Sequence, residues 1–368
     1  MWHQNYVGAY LCAIMNEERP FTTGNPTTDL TRPERLGPAL VRATGDERWL
    51  QHTATLITGG KSNLTFELTS EAGSLILRRP PTGHLLPRAH DMQREARVQQ
   101  ALAGTGVPVA TIVLIEAEPD TLDVPFYVME KVAGVIPRDS LPPGYADLRA
   151  GRTAMTDALV DGLVAVHGVD PVAVGLGDFG RTGGFAQRQV RTWTRQWEAT
   201  RTVDVPAMTE LGTRLAGHAW TEPARATIVH GDYRLDNCVF DPADPGRLAA
   251  VLDWEMSTLG DPLTDLGLLL FYWIEADEEG PVLTPALSRE PGFPGRGHLL
   301  DRYADATRAD LAGISAYVAL AHFKFAAIAQ GILARVRAGQ MAGQDFGDLG
   351  LEVERIAAAG VAALDEGD

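Results

Sequence analysis

Asp232, Asn237 and Asp253 are the residues of this chain whose types and spacing best suit chemistry. They lie in His230-Gly231-Asp232-Tyr233-Arg234-Leu235-Asp236-Asn237 and in Val251-Leu252-Asp253-Trp254. Two carboxylates and a carboxamide are hard oxygen donors, suited to Mg²⁺ and poorly suited to zinc. A carboxylate held near such donors can also orient a hydroxyl and take its proton, which is what phosphoryl transfer requires.

The neighbouring residues predict elements that bring these three together. Ile228-Val229 is short and β-branched and reads as a strand. Cys238-Val239-Phe240 reads as a second strand and residues 248–252 as a third. Between the last two, Asp241-Pro242-Ala243-Asp244-Pro245-Gly246 is dense in turn-forming residues. An antiparallel hairpin of 238–240 with 248–252 sets Asn237, just before it, beside Asp253, just after it. Asp232 lies one loop earlier and faces the same pocket.

His230-Gly231-Asp232-x-x-x-x-Asn237 with Asp253 resembles the catalytic and metal segments of the aminoglycoside phosphotransferase family, a branch of the protein-kinase-like fold. Gly231 stands where the kinase signature has Arg, and Trp254-Glu255 where it has Phe-Gly. The resemblance implies that Asp232 accepts the proton of an acceptor hydroxyl. It implies that Asn237 and Asp253 hold Mg²⁺ on the phosphates of ATP, with GTP as the alternative nucleotide. The implied fold is α+β and two-lobed, with a small antiparallel-sheet N-lobe, a mostly helical C-lobe and the nucleotide between them. The boundaries expected are an N-terminal extension over 1–28, the N-lobe over 29–134 and the C-lobe over 135–368. The stretch 251–262 is similar to the kinase-like domains associated with acyl-CoA dehydrogenases, which implies a hydroxyacyl-type small-molecule acceptor. Aminoglycoside-, choline- and homoserine-type acceptors stay open. No A-P-E-like segment follows Asp253, which argues against a protein kinase.

In the first lobe, Leu64, Phe66 and Leu68 alternate as one face of a strand, preceded by Gly59-Gly60-Lys61-Ser62-Asn63. Backbone N–H groups at Gly59, Gly60, Ser62 and Asn63 could lie over phosphates; a plain structural turn accounts for the glycines equally well. On the return strand, Ile76 and Arg78 share one face, Leu75 and Leu77 the other, and Arg79 points away from Arg78. The spacing predicts a helix over 91–103, with Met92, Glu95, Ala96, Gln99 and Leu102 on one stripe. A carboxylate on an apolar stripe needs a partner: Arg78, or Arg94 on the same helix. The resemblance implies that Arg78 takes the place of the kinase lysine, pairing with Glu95 and gripping phosphates. It also implies a hinge at Glu130 and Val132 for the adenine edge, with Met129 behind it. Read alone, Met129 fits an ordinary core strand as well.

In the second lobe, His167 reads as a helix-terminal or core histidine, and Trp193 and Trp197 as core aromatics or a border of the acceptor pocket. Asp261 reads as a helix N-cap. By the resemblance, Asp265 hydrogen-bonds the catalytic-loop backbone. Residues 280–297 lack periodicity and read as an acceptor lid or a surface loop. Residues 317–334 read as a buried helix, because His322, Lys324 and Gln330 interrupt the apolar run.

The composition narrows the alternatives. The chain has 368 residues, 45% hydrophobic, and a net charge of -16. That acidity argues against nucleic-acid and anionic-membrane partners. Two cysteines, Cys12 and Cys238, are too few for a disulfide framework and point to a reducing, cytoplasmic setting. Cys238 fits a small buried residue better than a reactive thiol. No signal peptide or transmembrane span is expected. The pattern assigns no oligomeric state. Two other classes remain in view: a nucleotide-binding pseudoenzyme acting as a regulatory module, which Arg78 in place of Lys permits, and a Mg²⁺-dependent phosphohydrolase.

Overall fold

Alternation of apolar residues along successive strands builds the first part of the molecule, and helical periodicity builds most of the second. The structure, a computed structural model, describes residues 26–57, 63–81, 91–339 and 346–367. The chain divides into two units. One comprises Met1–Ala103 and Val109–Val132, the other Gly104–Pro108 and Ala133–Asp368.

The first unit opens with α1 (Pro26–Thr31) and α2 (Pro33–Thr44). Helix thus begins inside the stretch expected as an extension; residues 1–25 lie outside those described. Then come β1 (Thr53–Leu56), β2 (Leu64–Ser70), β3 (Gly73–Arg79), α3 (Met92–Leu102), β4 (Ile112–Glu116) and β5 (Phe126–Glu130). The five strands form one antiparallel sheet in the order β1-β2-β3-β5-β4. The period of two sorts its side chains onto two faces. Leu75 and Leu77 of β3 and Phe126 and Val128 of β5 pack with Leu36 and Leu40 of α2. Ile76, Tyr127 and Met129 pack on the other face with Met92 and Ala96 of α3. Each such side chain, fully buried, contributes about 1.5–3 kcal/mol. Helix α3 starts where the sequence predicts, with Asp91 Oδ1 accepting from the Arg94 N–H at 3.0 Å.

The second unit carries α4 (Arg149–Gly168), α5 (Phe185–Thr200), α6 (Pro206–Gly217), then β6 (Thr227–Val229), β7 (Cys238–Phe240), β8 (Leu248–Val251) and β9 (Thr258–Gly260). It ends with α7 (Pro262–Tyr272), α8 (Arg296–Thr307), α9 (Ile314–Arg337) and α10 (Leu349–Asp365). Strands β7 and β8 form the expected hairpin, pairing Cys238 with Val251. Its turn is fixed by Asp241 Oδ1, which accepts from the N–H groups of Ala243 and Asp244 at 2.8 and 3.0 Å. Gly134 is needed where β7 is approached from its other side. A Cβ there would sit 2.3 Å from the Phe240 carbonyl oxygen, so close contact explains this glycine. Helix α9 is long and apolar enough to cross a membrane, yet it is largely buried within the protein. Residues 280–297 are not a bare loop. A 3₁₀ turn at Leu287–Arg289 interrupts them, and Ser288 Oγ bonds both the N–H and the carbonyl of Ile274.

Candidate active site

In the second unit, β6 delivers the chain to His230, and Gly231 turns it. Gly231 has φ +82°, and a Cβ would lie 2.7 Å from the Met256 carbonyl oxygen. Only glycine fits that turn, which accounts for the absence of the kinase arginine. Asp265, 1% exposed, accepts from the N–H groups of His230 and Gly231 at 2.6 and 2.8 Å. The expected contact of Asp265 with this backbone is therefore present. His167 is buried and bridges Asp265 (3.3 Å) and the Tyr303 hydroxyl (2.8 Å), so it is wired into the site rather than merely packed.

Asp232 is 5% exposed. Its Oδ1 accepts from the Tyr272 hydroxyl at 2.8 Å, and its Oδ2 accepts from Asn237 Nδ2 at 3.1 Å. Asn237 Nδ2 also donates to the Asp232 carbonyl at 2.8 Å. Two acceptors on one side fix the amide's orientation. Asn237 Oδ1 thus points away from Asp232 and takes no hydrogen bond among the described residues. Two bonds then place Asp253. Leu252 donates its N–H to the Asn237 carbonyl at 2.8 Å, and the Leu252 carbonyl receives a bond from His230 Nε2 at 2.8 Å. Asp253 follows at once, in the left-handed conformation (φ 62°, ψ 64°), where a non-glycine residue costs about 1–3 kcal/mol. Its neighbour Trp254 is fully buried, 4.7 Å from the His230 ring.

The electrostatics favour an ionised Asp232. Burial pushes its pKa up, but the charges of Arg234 and Lys324 and the Tyr272 hydrogen bond outweigh burial, leaving it below the usual carboxylate range. Arg234 Nε lies 3.4 Å from Asp232 Oδ2, and the same guanidinium reaches Asp236 at 3.2 Å. Lys324 Nζ donates to the Gly231 carbonyl at 2.8 Å. Burial pulls this ammonium below its ordinary value, opposed by Asp232 and Asp265. The Cys238 thiol is fully buried and pushed far up by desolvation, the state of an inert packing residue.

In the first unit, Arg78 Nε lies 3.1 Å from Glu95 Oε1, so the ion pair anticipated between β3 and α3 is present. Glu95 is 1% exposed and also accepts from the Tyr127 hydroxyl at 2.9 Å and from Asn63 Nδ2 at 3.4 Å. Arg79 leaves on the opposite side and donates to the Leu30 carbonyl. Gly59, Gly60 and Ser62 lie outside the described residues. Met129 is buried beside Ile76. The Glu130 N–H donates to the Thr111 carbonyl at 2.9 Å. The Val132 N–H has no backbone acceptor among the described residues.

The chain matches the phosphotransferase enzyme family (APH) over residues 53–317. It belongs to that family. A candidate aminoglycoside phosphotransferase from Ralstonia eutropha superposes with a TM-score of 0.78 at 34% identity, covering 90% of this chain and 98% of the other. Aminoglycoside phosphotransferase APH(4)-Ia, solved with ADP and hygromycin B, superposes at 0.57 with 15% identity, covering 89% and 98%. The fold is protein-kinase-like, with a small antiparallel sheet and a helical C-terminal part. Acyl-CoA dehydrogenase family member 11 of Homo sapiens is 36% identical over 306 residues. That match spans 82% of this chain and 38% of the longer relative.

Beyond the pattern that places the chain in the phosphotransferase enzyme family, the structure adds Tyr272, Arg234 and Lys324 to the surroundings of Asp232. Lys324 carried a readable signal: a cation in the middle of the apolar run 317–334 must find a partner. Tyr272 carried none, being one more aromatic in an apolar run. Among the described residues, no three His, Cys, Asp or Glu side chains form a metal-ligand cluster. A two-residue oxygen set, Asn237 with Asp253, suits Mg²⁺, which is commonly bound by one or two protein ligands together with substrate phosphates and water.

Proposed function

We propose that this chain transfers the γ-phosphoryl group of ATP, or of GTP, to a hydroxyl of a small molecule. The observation that carries the reading is the placement of Asp232: buried, and oriented by Tyr272, Asn237 and Arg234. An ionised carboxylate of depressed pKa is a weak base. It suits a reaction in which orientation of the hydroxyl counts for more than early proton removal. Asp232 holds the acceptor hydroxyl and receives its proton. Asn237, through Oδ1, and Asp253 would hold Mg²⁺, which when bound offsets charge on the phosphates. Arg78, anchored by Glu95, binds phosphate oxygens.

For the acceptor we favour a hydroxyacyl-type metabolite over an aminoglycoside. A recess beside the Tyr272–Asp232 pair is lined by Arg138, Arg234, Asp236, Tyr272, Trp273 and Leu287. Its one carboxylate is already paired with Arg234, a poor setting for a polycation. The name of the human relative supports the same direction.

The test combines purified protein, Mg²⁺ and ATP or GTP with hydroxyacyl thioesters and aminoglycosides, product being read by mass spectrometry. Asp232→Asn should lower transfer about 10²–10⁴-fold while nucleotide still binds by calorimetry. Undiminished transfer in that variant removes Asp232 from the role. Nucleotide binding without transfer to any acceptor favours the pseudoenzyme, and phosphate release without nucleotide favours the phosphohydrolase.

A further inference from the structure

We propose that Lys324 is a positioning residue for Asp232: it clamps the peptide that carries the carboxylate and sets a cation behind it. The proposal rests on Asp232 being the group that receives the acceptor's proton.

Lys324 lies within α9, and its neighbours Phe323, Phe325, Ala326 and Ala327 are buried. An ammonium there is costly unless it is bound. Its Nζ donates to the Gly231 carbonyl at 2.8 Å and lies 5.8 Å from the ring centre of Trp193 on α5. The Gly231 carbonyl and the Asp232 N–H belong to one planar peptide. That N–H donates to His230 Nδ1 at 3.2 Å. The peptide is therefore held at both ends, by Lys324 at its oxygen and by the imidazole at its nitrogen. Asp265 on α7 takes the two preceding N–H groups. No backbone donor from His230 to Asp232 is left without an acceptor, and a turn at φ +82° is locked in one orientation.

The charge acts in the same direction. Asp232 is faced by Arg234, Lys324, the Tyr272 hydroxyl and His230, and Lys324 by Asp232, Asp265 and Arg234. Arg234 is divided between Asp232 and Asp236. Lys324 comes from a different element, α9, and adds a cation that the loop's own residues do not supply.

The experiment compares wild type with Lys324→Met, Lys324→Gln and Lys324→Arg. Lys324→Met removes donor and charge, so kcat should fall about tenfold or more while the KM for ATP holds. Lys324→Gln keeps a donor and should keep part of kcat; it carries the test where Lys324→Met does not fold. Lys324→Arg should restore kcat. A folded Lys324→Met with wild-type kcat overturns the proposal, as does Lys324→Arg as impaired as Lys324→Met. The backbone ¹H–¹⁵N signals of Gly231 and Asp232 read the clamp without turnover: they should move in Lys324→Met and return in Lys324→Arg, and unmoved signals overturn the proposal. Moved signals in a protein that transfers nothing separate failure of the proposed function from failure of the lysine's role.

Discussion

Asp265→Ala is the most informative single substitution in the second unit. The carboxylate accepts two backbone N–H bonds, at 2.6 and 2.8 Å, and contacts His167 at 3.3 Å, all at 1% exposure. Alanine leaves two buried N–H groups and one imidazole nitrogen without an acceptor. Each such loss costs about 1–3 kcal/mol, so the sum is about 3–6 kcal/mol after some relaxation. For a unit of this size, about 2–4 °C accompanies each kcal/mol, and the transition should fall by on the order of 10 °C. Asp265→Asn, which keeps one acceptor oxygen, should lose less. Burial raises the Asp265 pKa, but the His167 hydrogen bond and the surrounding donors outweigh burial and hold it below the ordinary value. A depressed native pKa stabilises the fold fully above the unfolded value, near 4. That contribution disappears as pH drops through the native value. Calorimetry at pH 7 and at descending acid pH checks both statements. An Asp265→Ala transition within a degree or two of wild type at pH 7 would refute the reasoning, since these bonds would then contribute nothing net.

Glu95→Gln keeps an acceptor for Tyr127 but removes the charge that anchors Arg78. A hydrogen bond to a charged group is worth about 1.5–3 kcal/mol, so the KM for nucleotide should rise about tenfold or more with kcat little changed. An unchanged KM would show that Arg78 is placed by other contacts. Burial pushes the His322 imidazole down to about 4. The unfolded chain, titrating near 6.5, then binds more protons between those values, so stability falls as pH is lowered across that window. His322→Gln should flatten this part of the melting-temperature profile; a slope equal to that of wild type would exclude His322 as its source.

Much of the site was legible because its parts obey local rules. The turn cluster 241–246 announced the hairpin that sets Leu252, the residue before Asp253, beside Asn237. Strand alternation at Ile76 and Arg78 and the helical stripe through Glu95 anticipated an ion pair between residues 17 apart in the chain. What escaped depends on distant contacts. Tyr272 meets Asp232 across 40 residues and Lys324 meets Gly231 across 93, separations that no local periodicity encodes. Residues 280–297 show no pattern because tertiary bonds order them, such as Trp273 Nε1 to the Pro294 carbonyl at 2.9 Å. The Glu130 N–H, which the resemblance sets at a hinge, bonds the Thr111 carbonyl, a contact that no local pattern encodes.

The knot at Glu95 bears on the placement of α3. One carboxylate moors α3 to β3 through Arg78, to β5 through the Tyr127 hydroxyl, and to Asn63 just ahead of β2. Swinging that helix outward would rupture all three tethers together and strand a buried anion. An outward swing of α3 is therefore costly, which favours one fixed placement of the helix.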